Sequence, residues 1–253
     1  MSLQCQGVTF SYASRGGPAI SGVGAELAAG RMCMVVGRNG SGKSTLLRVV
    51  CGIERPTSGK VTWMGRDLSA MREPQRAAMC AYVPQRPSLS AAFTVRELVA
   101  LGEGPGARAR GLHSVDSALE AMGIAHLAGN PWHRISEGER LRSVVARALV
   151  QCGEQGLLVM DEPFAALDPG ECARLMRVMR DARSRGTTIV CAVHHIGIAS
   201  LLADRVWWLD QGHLIGSGPV DQVLVPATLE RIFGVAFAEH AGQVLPILPA
   251  AIT

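Results

Sequence analysis

Residues 37 to 45 read GRNGSGKST, a segment that combines three glycines with a lysine and three hydroxyl side chains. It matches the pattern G-x-x-x-x-G-K-[ST], in which backbone N–H groups surround phosphate oxygens because no Cβ stands in the way. Lys43 is expected to reach the β and γ phosphates, and the Ser44 hydroxyl to take a position on Mg²⁺. A glycine-rich turn capped by serine is the alternative. The segment predicts a nucleotide phosphate site made of Gly37, Asn39, Gly40, Ser41, Gly42, Lys43, Ser44 and Thr45.

Two acidic residues, Asp161 and Glu162, follow the apolar run Leu157 to Met160. A buried parallel strand delivers such residues to the carboxyl edge of its sheet, where doubly wound folds bind ligands. There Asp161 can hold the Mg²⁺ shell, and Glu162 can orient or deprotonate the attacking water. An acidic pair before Pro163 can also be a simple helix cap. In combination with the phosphate loop, the pair favours a nucleotide hydrolase.

The rest of the chain supplies elements that would position these groups. Strands are predicted at 5–12, 32–36, 157–160, 187–193 and 205–210, and helices at 43–50, 171–186 and 198–203. Three more segments with helical spacing occur at 94–102, 115–123 and 140–150. We therefore expect one α/β domain over 1–253, with an ATP-binding core at 1–86 and 151–253 and a helical insert at about 87–150.

Composition excludes several classes of protein. The chain has 253 residues, a mean hydropathy of +0.20 and 48% apolar residues, but no apolar run long enough to span a bilayer and no N-terminal secretory pattern. Its seven cysteines are scattered without metal-ligand spacing, which indicates reduced core residues of a cytoplasmic protein. Because the chain has two lysines and 4% aromatic residues, we do not expect nucleic acid to be its partner.

Five short motifs occur in a specific order along the chain: Gln85 in YVPQRP, ISEGER at 135–140, DEP at 161–163, AALD at 165–168 and His194 in AVHH. Together with the phosphate loop, this series resembles the ATP-binding subunit of ABC transporters over nearly the whole chain. The resemblance implies a P-loop ATPase core of mainly parallel sheet with flanking helices, an antiparallel β segment at the N-terminus and an inserted helical subdomain. It also implies ATP and Mg²⁺ as cofactors.

Roles for further residues are implied by this resemblance. Tyr12 would stack on adenine, although an ordinary strand aromatic is the alternative. Gln85 would reach the metal and the attacking water and link ATP to the helical insert. His194 would contact the γ-phosphate; His195 stands where the family usually has aspartate, which leaves open how the following loop is fixed. Asp168 would lie at a dimer interface, a role compatible with an N-cap ahead of a helix near Gly170.

The segment ISEGER implies both a helix cap and half of an ATP site. Ser136 at an N-cap with Glu139 three residues later predicts a capping box, and a helix N-terminus is where phosphate binds. By position, Ser136, Gly138 and Glu139 would meet the ATP held by a second chain in a head-to-tail dimer. Glu137 replaces the usual first glycine. Its side chain is expected to point to solvent or to Arg140 rather than toward the nucleotide.

Three stretches resemble the branch that imports iron chelates, haem or cobalamin: TVRELVALG at 94–102, the run from GSGP at 216–219 through 221–235, and VLPILPA at 244–250. The resemblance implies two membrane-spanning permease subunits, a second ATPase subunit and, indirectly, an extracytoplasmic binding protein. It places the chain peripherally at the cytoplasmic face of the inner membrane. The cargo and the choice between homodimer and heterodimer stay open. The rival interpretations are a single-cassette ABC ATPase that powers another class of transporter, a non-transport ATPase, a partner without turnover and a P-loop kinase.

Overall fold

The protein's structure, a computed structural model, describes residues 2–13, 16–89, 92–104, 114–152, 155–240 and 243–247. Its strands are β1 (Ser2–Phe10), β2 (Ile20–Ala28), β3 (Met32–Val36), β4 (Ser58–Trp63), β5 (Arg66–Asp67), β6 (Cys80–Val83), β7 (Leu157–Asp161), β8 (Thr188–Ala192), β9 (Arg205–Asp210), β10 (His213–Pro219), β11 (Phe237–His240) and β12 (Gln243–Pro246). Its α-helices are α1 (Lys43–Val50), α2 (Glu73–Ala77), α3 (Val95–Ala100), α4 (Val115–Ala121), α5 (Glu137–Gln151), α6 (Pro169–Ser184), α7 (Ile196–Leu202), α8 (Val220–Val223) and α9 (Pro226–Phe233).

The central sheet has six strands in the order β10-β9-β3-β8-β7-β6. The pairs β9–β3, β3–β8, β8–β7 and β7–β6 are parallel, and only β10 runs antiparallel to its neighbour. Every residue of β3, β7 and β8 is buried, as expected for strands covered on both faces. The predicted mainly parallel sheet is confirmed.

Alternating residues of the central strands supply two hydrophobic cores. Cys33 and Val35 of β3 face one core with α1 and the N-terminal strands, whereas Met32 and Met34 face the other core with α5, α6 and α7. This division follows from the two-residue period of a strand, which sends successive side chains to opposite faces. The apolar run of β3 is therefore uninterrupted because both faces need covering.

A second sheet is antiparallel and has the order β2-β1-β4-β5. It packs on α1, so it covers one face of the central sheet. This confirms the antiparallel N-terminal segment. The strand predicted at 5–12 instead occupies Ser2–Phe10, and Tyr12 lies beyond its end. The strand ends at Phe10, whose carbonyl accepts a hydrogen bond from the Ala19 N–H as the chain turns into β2.

The helices expected between residues 87 and 150 form a packed cluster. Helices α3 and α4 both contact α5, the longest helix of the three. The buried Trp132 indole donates a hydrogen bond to the Ser143 hydroxyl at 2.8 Å, which anchors the turn before α5 to that helix. Near the other end of the chain, β11 and β12 form a hairpin. Of the predicted terminal strand VLPILPA, residues 244–246 are strand and 248–250 lie outside the described residues.

Cysteine burial and helix length are the two structural features that bear on the predicted class of protein. Six cysteines are buried, Cys172 is half-buried, and all seven thiols are free, in line with their expected place in the core. Among the residues that the structure describes, no helix is long and apolar enough to cross a bilayer.

Replacement of Ile189 tests how much the centre of the sheet contributes to stability, because this side chain is fully buried in β8. Ile189→Ala is expected to lower the free energy of unfolding by about 2–5 kcal/mol through lost burial and the cavity left behind. Ile215→Ala on β10 is the control, since Ile215 is 49% exposed and its truncation should change stability by less than about 0.5 kcal/mol. Urea unfolding followed by circular dichroism compares the two, and equal losses would contradict the assigned core.

Candidate nucleotide-binding site

The loop between β3 and α1 requires glycine at two positions for steric reasons. A Cβ on Gly37 would lie 2.2 Å from the Leu209 carbonyl oxygen. Gly42 has φ +102°, and a Cβ there would lie 2.7 Å from the Ala19 carbonyl oxygen. Side chains are thereby excluded where the loop passes closest to its neighbours, and the chain enters α1 at Lys43.

Lys43 curls back over this loop. Its Nζ donates hydrogen bonds to the carbonyl oxygens of Gly37 at 3.0 Å and Arg38 at 3.2 Å. The side chain is buried, and this burial lowers the pKa of Lys43, although the charges of Glu162 and Asp161 oppose the shift. The cation is therefore held inside the loop, at the position from which it can reach a phosphate.

Asp161 ends β7 with one oxygen paired and one unpaired. Its Oδ2 accepts a hydrogen bond from the Tyr82 hydroxyl at 3.4 Å, whereas the buried Oδ1 has no partner. Burial raises the pKa of Asp161, and a hydrogen bond from Ser44 opposes the rise. Carboxylate and hydroxyl oxygens are ligands that Mg²⁺ prefers. Asp161 and Ser44, with Oδ1 open, therefore fit a magnesium ion.

Glu162 is the centre of a second group of contacts. Its Oε2 accepts a hydrogen bond from Gln85 Nε2 at 2.7 Å, and its Oε1 lies 2.5 Å from His194 Nε2 and 3.7 Å from Lys43 Nζ. The backbone of Glu162 adopts φ +51°, a left-handed conformation that is unusual for glutamate. Such strained residues cluster at functional sites, because the surrounding structure holds them in place.

These residues surround a cavity of about 500 Å³. Tyr12 forms part of its wall; the Tyr12 hydroxyl lies 3.3 Å from Thr45 Oγ1, and its ring contacts Phe10 edge-on. His194 lines the cavity and His195 does not. The predicted site residues that line the cavity are Tyr12, Asn39, Gly40, Gly42, Lys43, Ser44, Thr45, Gln85, Glu162 and His194.

Seven predicted site residues do not line this cavity. Gly37, Ser41 and Asp161 belong to the phosphate loop and the end of β7, and the other four are Ser136, Gly138, Glu139 and Asp168. Ser136 and Glu139 form the predicted capping box at the start of α5, where the Ser136 hydroxyl accepts from the Glu139 N–H and the Glu139 carboxylate accepts from the Ser136 N–H. Asp168 caps α6 in the same manner with Glu171. The structure therefore confirms both helix caps and assigns neither to the nucleotide cavity of its own chain.

The start of α5 lies against the loop before α6. A Cβ on Gly138 would be 2.9 Å from the Ala166 carbonyl oxygen, so only glycine allows this approach. The buried Arg142 pairs with Glu171 at 2.6 Å and joins the two helices. The sequence analysis assigned no role to Arg142, Glu171 or Tyr82. For the pair formed by Arg142 and Glu171, the available signal was an arginine on the apolar face of α5.

Glu137 is exposed on the first turn of α5, in line with the expectation that it points to solvent. Arg140 does not serve as its partner in the described contacts. The Arg140 guanidinium instead donates to the carbonyl oxygens of Trp132 and His133 and lies over the Trp132 ring. The carboxylate is therefore solvated rather than paired.

Gly40 and Gly42 allow a controlled test of the loop. Both have positive φ, but a Cβ at Gly40 meets nothing within 4 Å, whereas one at Gly42 meets backbone. Gly40→Ala is expected to cost about 1–2 kcal/mol for the left-handed conformation alone. Gly42→Ala should cost more and should also weaken nucleotide binding. Urea unfolding and titration with a fluorescent ATP analogue measure both effects, and equal behaviour of the two variants would contradict the packing described.

Known proteins share sequence with this chain over most of its length. The family model described as "ABC transporter" matches residues 20–165. The hemin import ATP-binding protein HmuV of Bradyrhizobium diazoefficiens is 35% identical over 91% of this chain and 88% of its own length. HmuV of Bordetella avium is 36% identical over 93% of both chains, and HmuV of Pseudomonas entomophila is 37% identical over 85% of this chain and 87% of its own.

Solved structures show the same fold. The protein cbiO1 of Clostridium perfringens, part of the ABC transporter complex cbiONQ, is 29% identical over 90% of this chain and 92% of its own, with a TM-score of 0.73. A dimeric ATP-binding cassette bound to ADP and phosphate is 22% identical over 86% of this chain and 98% of its own, with a TM-score of 0.76. The geometry of the site, the family match and the similarity to these relatives lead to one conclusion. The chain belongs to the ABC transporter family, for which ATPase activity is expected.

Proposed function

We propose that this chain is the ATP-hydrolysing subunit of a membrane importer and drives the uptake of an iron chelate, haem or cobalamin. The observation that carries the catalytic part is the cluster around Glu162, where Gln85, His194 and Lys43 converge beside the phosphate loop. The relatives named hemin import ATP-binding proteins support an importer, and they favour haem among the three cargoes.

In this proposal the loop amides and Lys43 bind the β and γ phosphates of ATP. Ser44, Asp161 and Gln85 would hold Mg²⁺, which would neutralise charge on the phosphates. Glu162 orients the attacking water and accepts its proton, because its carboxylate faces the cavity at the end of a rigid strand. His194 leaves Glu162 to contact the γ-phosphate, and Tyr12 stacks on the adenine.

A second ATPase subunit completes the site. Ser136 and Gly138 lie at the start of a fifteen-residue helix, whose N-terminal dipole and free N–H groups favour an anion, yet the cavity of their own chain does not include them. In a head-to-tail dimer they would face the γ-phosphate held by the partner, with Glu139 keeping the cap in place. Asp168 would lie at the same interface.

The remaining partners follow from the importer proposal. Two permease subunits would span the membrane, with this chain bound peripherally at the cytoplasmic face, and an extracytoplasmic binding protein would act on the permeases rather than on this chain. Purification of the tagged chain from its native membrane tests this arrangement. Recovery of two polytopic proteins would support an importer, whereas recovery of ribosomes or DNA would refute it.

Glu162→Gln tests the catalytic assignment. The amide keeps the shape of the side chain but cannot accept a proton, so turnover should fall by roughly 10² to 10⁴-fold. ATP should then hold a dimer together, which size-exclusion chromatography in ATP and Mg²⁺ would detect. Glu230→Gln, at an exposed position of α9, is the control and should behave as the parent protein does. Undiminished turnover in Glu162→Gln would remove Glu162 from the mechanism.

Glu137→Gly tests whether the unusual acid weakens the composite site. Because Glu137 is exposed and solvated, its removal should raise ATPase activity by less than about tenfold, which corresponds to roughly 1.4 kcal/mol of barrier. Glu137→Gln is the matched control, since it removes the charge without adding a glycine to the helix. A larger rise in both variants would mean that the carboxylate opposes ATP binding between the chains.

A further inference from the structure

Another cavity lies near the carboxyl end of the described chain. Helix α7 packs on β12 and α9 packs on β11, and the space that these four elements leave between them has a volume of about 650 Å³. We call it the C-terminal cleft. It is larger than the nucleotide cavity, and its volume falls within the range that small-molecule sites occupy.

Apolar side chains make up most of the wall of the C-terminal cleft. Phe233 is central among them: its ring centroid lies 5.6 Å from that of the buried Trp208 and 5.9 Å from that of Phe237. Four apolar residues of the wall keep exposed fractions between 39% and 43%: Leu201, Phe233, Val235 and Leu245. Because aromatic rings favour stacked or edge-to-face contacts with other rings, this wall suits a flat, apolar, aromatic ligand.

His195 adds an imidazole to the rim of the cleft. The side chain is exposed and lines the cleft, and it does not cap α7, which begins at the next residue. Within the described ranges its ring has no hydrogen-bond or ion-pair partner. A neutral imidazole is a frequent ligand of iron, above all of the iron in haem. A histidine without a partner beside an apolar cavity therefore points to a metal-bearing ligand.

Arg180 places a cation at the edge of the cleft. Its Nη2 donates a hydrogen bond to the carbonyl oxygen of Leu201 at 3.1 Å, and the guanidinium is exposed. A guanidinium binds carboxylates well, because its planar fork matches their two oxygens. The cleft thus offers three features to one ligand: an apolar wall with aromatic rings, a metal-ligating imidazole and a cation for an acidic group.

Haem has the three complementary parts, a flat porphyrin, an iron with open axial positions and carboxylate groups on its propionates. We propose that the C-terminal cleft binds haem, with His195 as the axial ligand of the iron and Arg180 beside a propionate, and that bound haem slows ATP hydrolysis. This inference rests on the proposed function, because it takes haem as the imported chelate. The ATPase subunit would then respond to the chelate that accumulates on its own side of the membrane.

His194 connects the cleft with the nucleotide site, because it lines both cavities. In the structure its Nε2 lies 2.5 Å from Glu162 Oε1, whereas the proposed mechanism requires it to leave Glu162 for the γ-phosphate. Coordination of iron by the adjacent His195 would fix the turn that carries both histidines. Since a ligand shifts an equilibrium only by its differential affinity, haem lowers turnover to the extent that it binds more tightly while His194 contacts Glu162.

Titration of the purified chain with ferric haem tests the site. Coordination by His195 should shift the Soret absorption band of the haem, and His195→Ala should weaken haem binding by about tenfold or more. His213→Ala removes an exposed histidine of β10, so it is the matched control and should bind haem as the parent does. Metal-free protoporphyrin should bind the parent and His195→Ala equally, because it has no iron for the imidazole to coordinate.

The apolar wall is tested by Leu201→Glu, with Ile215→Glu on β10 as the control. Both residues are exposed, at 41% and 49%, so a carboxylate at either position should leave the melting temperature nearly unchanged. Leu201→Glu should weaken the binding of haem and of metal-free protoporphyrin by about tenfold or more, since it brings a charge into an apolar contact. Ile215→Glu should weaken neither. Should Leu201→Glu lower the melting temperature, Val235→Glu repeats the test.

ATPase assays test the regulatory part, with each variant compared with its own rate in the absence of haem. Saturating haem should lower the rate of the parent by about fivefold or more. His213→Ala should be inhibited as strongly as the parent, whereas His195→Ala should keep its rate at the same haem concentration.

The outcomes separate this inference from the proposed function. Equal haem affinity of the parent and His195→Ala, or an unshifted Soret band with the parent, overturns the site, and haem binding without loss of ATPase activity overturns the regulation. If the parent binds no haem and Leu201→Glu loses the ATP-dependent dimer, the cleft belongs to a second copy of the chain and the inference fails. Recovery of no polytopic protein from the membrane would refute the importer, but the haem titration of the purified chain decides the cleft in either case.

Discussion

The parallel pairing of β3, β8 and β7 is the constraint on which the site depends. Parallel strands present their carboxyl ends at one edge of the sheet, so the phosphate loop after β3, Glu162 after β7 and His194 after β8 meet although long stretches of chain separate them. The register is fixed by strands that are buried on both faces, because a slip by one residue would exchange the two cores. The packing of the whole sheet thereby determines the distances of about three ångströms between the side chains at its carboxyl edge.

That edge brings together groups whose burial would be unfavourable if each of them stood alone. Lys43, Asp161 and Glu162 are all buried, Asp161 Oδ1 lacks a partner, and Glu162 adopts a left-handed backbone. Removing charges from water is costly even when they are paired. The opposite charges of lysine and glutamate limit this cost without a ligand, and a phosphate would replace the carboxylate as the partner of the lysine. The site is thus arranged for an anion, while the cores supply the stability.

Local features were predictable from the sequence, and long-range contacts were not. Helix α1 at Lys43–Val50 and strand β9 at Arg205–Asp210 have the predicted bounds, because glycine, lysine and apolar runs act within a few residues. The capping box at Ser136 was predictable for the same reason. The contacts of Tyr82 with Asp161 and of Arg142 with Glu171 depend on how distant segments pack, which no local pattern encodes. The end of β1 before Tyr12 was missed because the turn into β2 sets it.

The contact between Arg142 and Glu171 bears on how two composite sites would act together. Glu171 caps α6 behind Asp168 and also pairs with Arg142 of α5, while Gly138 lies against the carbonyl of Ala166. The start of α5 and the segment that follows Glu162 are therefore packed directly against each other. In the proposed dimer, the helix start that faces the partner's ATP would be fixed to the segment that leads away from the chain's own catalytic acid. A displacement at one nucleotide would then be transmitted to the other through this contact. The two segments are closest at Gly138, where no side chain would fit, so they have no room to move closer together.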